Sequence, residues 1–217
     1  MRGNASGFAH KLKARVARVS TYMRGRTGTL QRKLTLASYL RRGQKVRITT
    51  DASPWGLGAI LEIGGNIVAW IADTFSSADK AVLSLSATPS CDDQQVVEAL
   101  AALVALREWC SHWKDARVTL EVRSDNMATL SMIRKMQPHG PRMGIIAREM
   151  ALDISKSAYS PDVAEHLPGF ANTACDSLSR LADPSNKYSV PEFLLPAQRH
   201  RCAIRTRKWY ATLPASP

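Results

Sequence analysis

The sequence predicts an α/β protein in which helices flank a mixed β-sheet. Two patterns predict this class: a β-rich stretch with period-two alternation between residues 45 and 71, and, after it, short strand patterns separated by helical ones. The predicted order is β-β-β-α-β-α-α-β-α, so three antiparallel strands are followed by strands that join the sheet through helices. With 217 residues, the chain has room for one domain of ordinary size and terminal extensions.

The first three strands are predicted to follow one another closely. Residues 45–50 alternate and are rich in β-branched side chains, and residues 57–63 and 66–71 form two further apolar runs. The Gly-Gly pair between these two runs is a hairpin signal. Residues 74–91 are rich in Ser, Ala and Thr, and we expect them to form a loop.

Helices and two more strands are predicted in the second half of the chain. Asp92 is a suitable N-cap for a helix that extends to about Trp113 and carries a broad apolar face. The remaining predicted elements are a fourth strand at 118–122, helices at 126–136 and 143–157, a fifth strand at 159–167 and a last helix at 171–182.

The basic residues are concentrated towards the two ends of the chain. The net charge is +12, and residues 1–50 contain many Lys and Arg residues but no Asp or Glu. We therefore expect a basic N-terminal arm or linker at 1–44 and a domain at 45–182. We expect residues 183–217 to form a basic, Pro-containing tail that connects the domain to a further segment. Basic extensions around a near-neutral domain suit a polyanionic partner, although a basic arm can also be disordered and without function.

The cysteines and the apolar residues bear on the cellular compartment. The four cysteines form no C-x-x-C pair and have no zinc-ligand spacing with the histidines, so we expect reduced thiols. The chain has no run of 18 apolar residues and no secretory signal, which predicts a cytoplasmic or nuclear protein without a membrane association. The acid-free, Arg-rich N-terminus also has the composition of a mitochondrial transit peptide, so mitochondrial targeting is an alternative.

Four acidic residues stand at predicted strand ends or within predicted helices. They are Asp51 in T-T-D-A-S-P-W-G-L-G-A, Glu98 in Q-V-V-E-A-L, Asp125 in V-R-S-D-N-M, and Asp176 at the end of H-L-P-G-F-A-N-T-A-C-D. Each has a structural alternative: a turn former, a solvated helix residue, an N-cap and a surface residue, respectively. Because hard divalent cations prefer oxygen ligands, four converging carboxylates would predict a metal site.

The order of these motifs resembles the ribonuclease H domain of retrotransposon and retroviral-type reverse transcriptases. T-D-A-S-P-W-G-L-G-A is similar to the first-strand motif of that family, S-D-N to its fourth-strand motif, and H-L-P-G-F-A-N-T-A-C-D-S-L-S-R to its last loop and helix. Cys175 stands where retroelement versions often have Ala. The resemblance covers about residues 45–182 and implies a ribonuclease H-like fold with a mixed five-stranded sheet. The chain has no Tyr-x-Asp-Asp turn of a polymerase, so we do not expect it to synthesise DNA.

The resemblance implies a metal-dependent endonuclease that hydrolyses the RNA strand of RNA/DNA hybrids. It implies two Mg²⁺ ions, with Mn²⁺ as a possible replacement. Asp51 would bridge both ions, Asp125 would hold the ion on the nucleophile side, and Glu98 and Asp176 would complete the set. Four crowded carboxylates repel one another, so at least one of them should have a raised pKa in the absence of metal.

Further residues receive roles from the same resemblance. His166 corresponds to a mobile histidine that would carry a proton or assist product release. Ser53, Asn126 and Asn172 are expected to contact the substrate. A reverse transcriptase polymerase domain is a possible partner in a longer protein.

Two other functions are compatible with the same fold class. The chain could be a catalytically silent retroelement descendant that binds nucleic acid, but such a descendant is expected to have lost carboxylates, and here all four are present. It could also be a nuclease of the transposase or integrase type. Those enzymes normally use three acids in the order D-D-E, whereas here the glutamate lies between two aspartates.

Overall fold

A six-stranded mixed sheet forms the centre of the protein, in a computed structural model that describes residues 43–113, 118–155, 163–185 and 187–211. The spatial order of the strands is β5-β4-β1-β2-β3-β6. The β1–β2 and β2–β3 pairs are antiparallel, whereas the β1–β4, β4–β5 and β3–β6 pairs are parallel. The strands are β1 (Gln44–Ser53), β2 (Gly56–Ile63), β3 (Asn66–Asp73), β4 (Val118–Ser124), β5 (Val163–His166) and β6 (Gln198–Arg199).

Within the described residues, five α-helices flank this sheet, which confirms the predicted α/β class and its three antiparallel strands with parallel additions. The sixth strand was not predicted. The helices are α1 (Ser77–Leu83), α2 (Gln94–Glu108), α3 (Met127–Lys135), α4 (Gly140–Ser155) and α5 (Thr173–Ser179). Short 3₁₀ turns lie at Cys91–Asp93, Cys110–His112, Gly169–Ala171, Glu192–Leu194 and Arg207–Trp209.

The core has two layers, because successive side chains of a strand point to opposite faces of the sheet. On one face, Leu61 and Ile71 belong to the large cluster that α2 and α4 complete. Every α2 residue from 96 to 106 is buried, so α2 is a central helix rather than an amphipathic surface helix. On the other face, Ile60 and Trp70 pack with Leu178 of α5 in a smaller cluster.

The loop predicted at 74–91 contains helix α1, so that prediction was wrong in part. The helix begins with a capping box in which Ser76 Oγ accepts a hydrogen bond from Asp79 N at 3.0 Å and Asp79 Oδ2 accepts one from Ser76 N at 2.8 Å. Helix α2 also differs from the prediction. It begins at Gln94 rather than just after Asp92 and ends at Glu108 rather than near Trp113.

The described part of the expected C-terminal tail packs against the domain. Strand β6 pairs with β3, and Leu194, Arg205 and Tyr210 are buried. The Arg205 guanidinium donates to Asp79 Oδ2 at 2.9 Å and to the Thr74 carbonyl at 2.7 Å. The described residues of this segment therefore pack against the sheet and helix α1, and Arg205 is buried rather than solvated.

Two predictions about the chain ends reach beyond the described residues. The basic arm at 1–44 and its alternative as a transit peptide lie almost entirely outside them.

Within the described ranges, no helix has the length and apolar character needed to cross a lipid bilayer.

Candidate active site

Asp51 and Asp125 lie at the same edge of the sheet because β1 and β4 are parallel neighbours. Thr49 of β1 is opposite Arg123 of β4, so the two aspartates, each two residues further on, end at the same level. Glu98 reaches this edge from α2, which packs against β1. The fold thus brings together three of the four predicted acids.

One carboxylate oxygen from each of Asp51, Glu98 and Asp125 lies within 4.8 Å of the other two. Asp51 and Glu98 are buried, and Asp125 is half-buried. Three carboxyl groups at this separation repel one another strongly when ionised, since little water screens them. The cluster is therefore a site for a positive charge or for bound protons.

The pKa values of the two buried carboxyl groups agree with this electrostatic conclusion. Burial raises the pKa of Asp51 to about 7; the Ser179 hydroxyl opposes that rise, and the negative charges of Asp125 and Asp176 add to it. Burial, together with the charges of Asp51 and Asp125, also raises the pKa of Glu98 well above its ordinary value. In the absence of a cation, the cluster thus retains protons at a pH where exposed carboxyl groups are ionised.

Neighbouring side chains fix the orientation of these carboxyl groups. Ser179 Oγ of α5 donates to Asp51 Oδ2 at 2.8 Å, and Asn172 Nδ2 donates to Asp51 Oδ1 at 3.3 Å. Gln94 Nε2 donates to Glu98 Oε1 at 2.8 Å and to the Ala52 carbonyl at 2.9 Å, which ties α2 to the end of β1.

A divalent cation fits the residues of this cluster. Glu98 Oε2 is buried and accepts no hydrogen bond from the described residues. A buried carboxylate oxygen without a partner is costly, and a cation beside it would remove that cost. The donor set consists of hard carboxylate oxygens only, the type that Mg²⁺ and Mn²⁺ prefer.

Asp176 lies near this cluster but outside the group of three close carboxylates. Its charge contributes to the raised pKa of Asp51, so it is part of the same electrostatic environment. Its Oδ1 accepts a hydrogen bond from Arg180 Nε at 2.5 Å. The Arg180 guanidinium in turn lies 5.6 Å from the Trp55 ring centroid and 5.4 Å from that of Tyr188. Asp176 therefore already forms an ion pair with an arginine side chain of the protein.

His166 ends β5, the strand next to the one that leads to Asp125. It is paired with Ser124, the residue before Asp125, and its side chain is exposed. The loop that follows runs along Asp125, since a Cβ added to Gly169 would lie 3.4 Å from Asp125 Oδ2. The histidine is thus located where a solvent-accessible proton carrier could reach the site.

The three residues expected to contact substrate occupy different environments. Ser53 is buried and its hydroxyl donates to the Ser179 carbonyl at 2.7 Å. Asn172 is also buried, and its Nδ2 additionally donates to the Thr50 carbonyl at 3.1 Å. Asn126 is half-buried, and its Oδ1 caps α3 by accepting from Thr129 N at 2.9 Å. Ser53 and Asn172 therefore hold the Asp51 region together, while Asn126 stands nearer the surface.

Sequence reasoning did not identify Gln94 and Ser179, which orient the acidic side chains. A sequence signal existed for Gln94 but not for the contact that Ser179 makes. Gln94 stands four residues before Glu98 on the same helix, a spacing at which helical side chains meet. Ser179 follows Asp176 by three residues in D-S-L-S-R, but its contact is with Asp51, and only the packing of α5 on β1 brings the two together.

Gly58 allows helix α5 to approach the strands closely enough for these contacts. A Cβ on Gly58, which pairs with Asp51 in the sheet, would lie 2.4 Å from the Cys175 carbonyl oxygen and 2.8 Å from Leu178 Cβ. No side chain fits at such distances without a shift of α5. Gly58, which belongs to the T-D-A-S-P-W-G-L-G-A motif, therefore has a packing role.

Comparison with known proteins gives structural similarity only. No family model matches the sequence, and no curated protein matches it. RNase H1 from the halophilic archaeon Halobacterium salinarum NRC-1 is 21% identical over 64% of this chain and 96% of that chain, with a TM-score of 0.48. LC11-RNase H1, isolated from compost by a metagenomic approach, is 20% identical over 64% and 94%, with a TM-score of 0.47. The N-terminal RNase H domain of rv2228c from Mycobacterium tuberculosis is 13% identical over 62% and 95%, with a TM-score of 0.44. At this distance, the function has to be inferred from the residues of the site.

Proposed function

We propose that the protein is a metal-dependent endonuclease that hydrolyses the RNA strand of RNA/DNA hybrids, as the ribonuclease H part of a retroelement reverse transcriptase. The observation that carries this proposal is the convergence of Asp51, Glu98 and Asp125 within 4.8 Å at one edge of the sheet. The motifs around these residues, which resemble those of retroelement ribonuclease H domains, support the choice of substrate and the retroelement context.

Asp51, Glu98 and Asp125 would hold divalent cations, with Asp176 as a fourth ligand. Two Mg²⁺ ions, or Mn²⁺ in their place, would supply an activated water and neutralise the charge that develops on the leaving oxygen. Because burial raises the pKa values of Asp51 and Glu98, a cation has to displace protons as it binds, and metal binding should weaken as the pH falls. Asp176 would have to leave its ion pair with Arg180, or share it, in order to join the site.

The other residues of the site have supporting roles in this proposal. His166, exposed at the end of β5, would accept or deliver a proton at the surface of the site. Ser179 and Asn172 keep the Asp51 carboxylate in one orientation. Ser53 keeps α5 in contact with the end of β1, so we assign it and Asn172 a positioning role. Asn126 is the candidate for direct contact with the substrate because it lies nearer the surface.

The test is a cleavage assay on three end-labelled duplexes: an RNA/DNA hybrid, an RNA duplex and a DNA duplex. Each is incubated with Mg²⁺, with Mn²⁺ and with a chelator. We expect cleavage of the RNA strand of the hybrid only, in the presence of either metal. Asp125→Asn should lower the rate by at least about 100-fold, since a metal ligand is lost. Asp92→Asn, which changes an exposed acid outside the cluster, should leave it unchanged.

Two other outcomes would replace the proposal by an alternative. Binding of the hybrid without cleavage in either metal would indicate a catalytically silent nucleic-acid-binding module. Cleavage of duplex DNA in preference to the hybrid would indicate a nuclease of the transposase or integrase type.

A further inference from the structure

Two large, exposed apolar side chains belong to segments that lie next to Asp125. Phe170 is 86% exposed and Met127 is 62% exposed. Phe170 belongs to the 3₁₀ turn Gly169–Ala171, and Met127 is the first residue of α3, two residues after Asp125. We call this pair the apolar rim. A single exposed apolar residue is common on protein surfaces, but Phe170 follows the glycine that lies beside Asp125 Oδ2 and Met127 follows Asp125 itself by two residues.

The backbone around Phe170 is held in place although its ring is exposed. Leu167 N donates to the Ser124 carbonyl at 3.0 Å, and Asn172 N donates to the Gly169 carbonyl at 3.0 Å. The Asn172 side chain then bonds to the Thr50 carbonyl in the buried interior. The turn is thereby fastened at both ends to strands that carry the acidic cluster. Phe170 is thus presented to solvent from a fixed position next to the site.

The chemistry of the surroundings limits what the ring can contact. A substrate strand has to approach three carboxylates, which repel its phosphates unless cations intervene. The shallow minor groove of an A-like helix instead exposes sugar carbons and 2′-hydroxyl groups. An aromatic ring can cover sugar carbons and base edges without an electrostatic cost. The apolar rim therefore suits the groove surface of the strands that flank the reacting phosphate.

We propose that Phe170, together with Met127, contacts the sugar surface of the bound hybrid duplex and positions the strand over the acidic cluster. This inference rests on the proposed function, because it assumes that the cluster acts on a hybrid. Phe170 is then a substrate-positioning residue, and its contribution should appear in binding as well as in cleavage.

Hybrid affinity measured in an Asp125→Asn background, where cleavage does not remove the substrate, tests this inference. Phe170→Ala should weaken the affinity for a hybrid duplex about tenfold, a loss typical of removing one aromatic contact with nucleic acid. Phe170→Tyr, which keeps the ring, should retain most of the affinity. In the otherwise wild-type chain, KM for hybrid cleavage should rise by a similar factor.

Phe193 provides a matched control because it is also an exposed phenylalanine, 59% accessible, in a 3₁₀ turn of the C-terminal segment. Phe193→Ala should leave hybrid affinity within about twofold of the parent, since it removes similar apolar surface from a turn that contains none of the site residues. Thermal melting of both variants should match that of the parent, because neither ring is part of the core.

The outcomes separate this inference from the proposed function. Unchanged affinity in Phe170→Ala, or an equal loss in Phe193→Ala, would overturn the inference even if the wild-type chain cuts hybrids. An equal loss of affinity for single-stranded RNA would also overturn it, because the ring would then stack on unpaired bases. A selective loss of hybrid affinity in a chain that never cleaves would support the positioning contact and reject the endonuclease proposal.

Discussion

Asp51 and Glu98 are buried acids that form no ion pair within the described residues, although the charge of Arg180 acts on Asp51 from a distance. The Ser179 hydroxyl and the Gln94 amide give each of them one good hydrogen bond, but both pKa values remain raised because burial and mutual repulsion are larger effects. Such an arrangement reduces the stability of the metal-free protein. It is the local cost expected of a site that is completed by a cation.

The pH dependence of stability tests the raised pKa of Asp51. An acid that titrates near 4 in the unfolded chain and near 7 in the folded one favours the folded state at low pH, and this contribution is lost as the pH rises from about 4 to 7. Between pH 5 and pH 8, with chelator present, Asp51→Asn should therefore lose less unfolding free energy than the wild type does, by about 1–3 kcal/mol. Denaturant unfolding measures this difference. Identical pH slopes for the two proteins would contradict it.

Ser179 lowers the pKa of Asp51 through its hydrogen bond, so its removal should change the pH profile of activity. In Ser179→Ala, Asp51 holds its proton more tightly and a metal ion displaces it less easily. The acidic limb of the rate profile in Mg²⁺ should move to higher pH by about one unit or less. Ser177→Ala, on the same helix, is the control and should leave the profile in place. A lower rate without a shift of the limb would mean that Ser179 has only a packing role.

The elements that sequence patterns predicted well are those that depend on local periodicity. The three antiparallel strands follow from alternation and from the Gly64-Gly65 turn, and α2 follows from its long apolar run. Helix α1 was missed because Ser- and Ala-rich composition outweighed the S-x-x-D capping box at Ser76. Strand β6 has only two residues and follows from long-range packing, which no local pattern records.

The contact between α5 and the strands should be sensitive to one methyl group. Gly58→Ala places a Cβ within 2.4 Å of a backbone oxygen, so α5 has to move. We expect a loss of at least about 2 kcal/mol in unfolding free energy and a loss of activity, because Ser179 and Asp176 move with α5. Thermal melting and the hybrid cleavage assay measure the two effects.

Gly144→Ala is the matched control for Gly58→Ala. Gly144 lies within α4, and the nearest atom to its added Cβ is 3.8 Å away. Since Ala is a better helix former than Gly, this variant should be as stable as the wild type or more stable by up to about 1 kcal/mol. Equal destabilisation by the two substitutions would refute the close-packing explanation.

At the scale of the whole molecule, the C-terminal segment, which its composition predicted to be a tail, packs against the sheet and helix α1. Arg205 is buried between Asp73 and Asp79, and Tyr210 donates its hydroxyl to Asp79 Oδ1 at 2.6 Å. The sequence could not predict this because an arginine that pairs with distant acids looks the same as a solvated one. By contrast, the proximity of Asp51, Glu98 and Asp125 could be expected from the sequence because each lies in a recognisable motif, while their role in a site stays a prediction.

Loss of Arg205 should destabilise the whole domain. Arg205→Met leaves the carboxylate of Asp79 buried without its cation, which typically costs about 3–5 kcal/mol. The exposed Arg207, two residues later, is the control, and Arg207→Met should change the unfolding free energy by less than about 0.5 kcal/mol. Chemical denaturation measures both. A small effect of Arg205→Met would indicate that the segment is only loosely attached.

The central claim is that Asp51, Glu98 and Asp125 hold divalent cations, and the most direct measurement is anomalous X-ray scattering from crystals soaked in Mn²⁺. The predicted result is an anomalous peak within about 2.0–2.6 Å of carboxylate oxygens of these three residues, which disappears in Asp125→Asn crystals. An empty cluster at saturating Mn²⁺, or a peak only at other acidic residues, would contradict the metal site and with it the proposed hydrolysis.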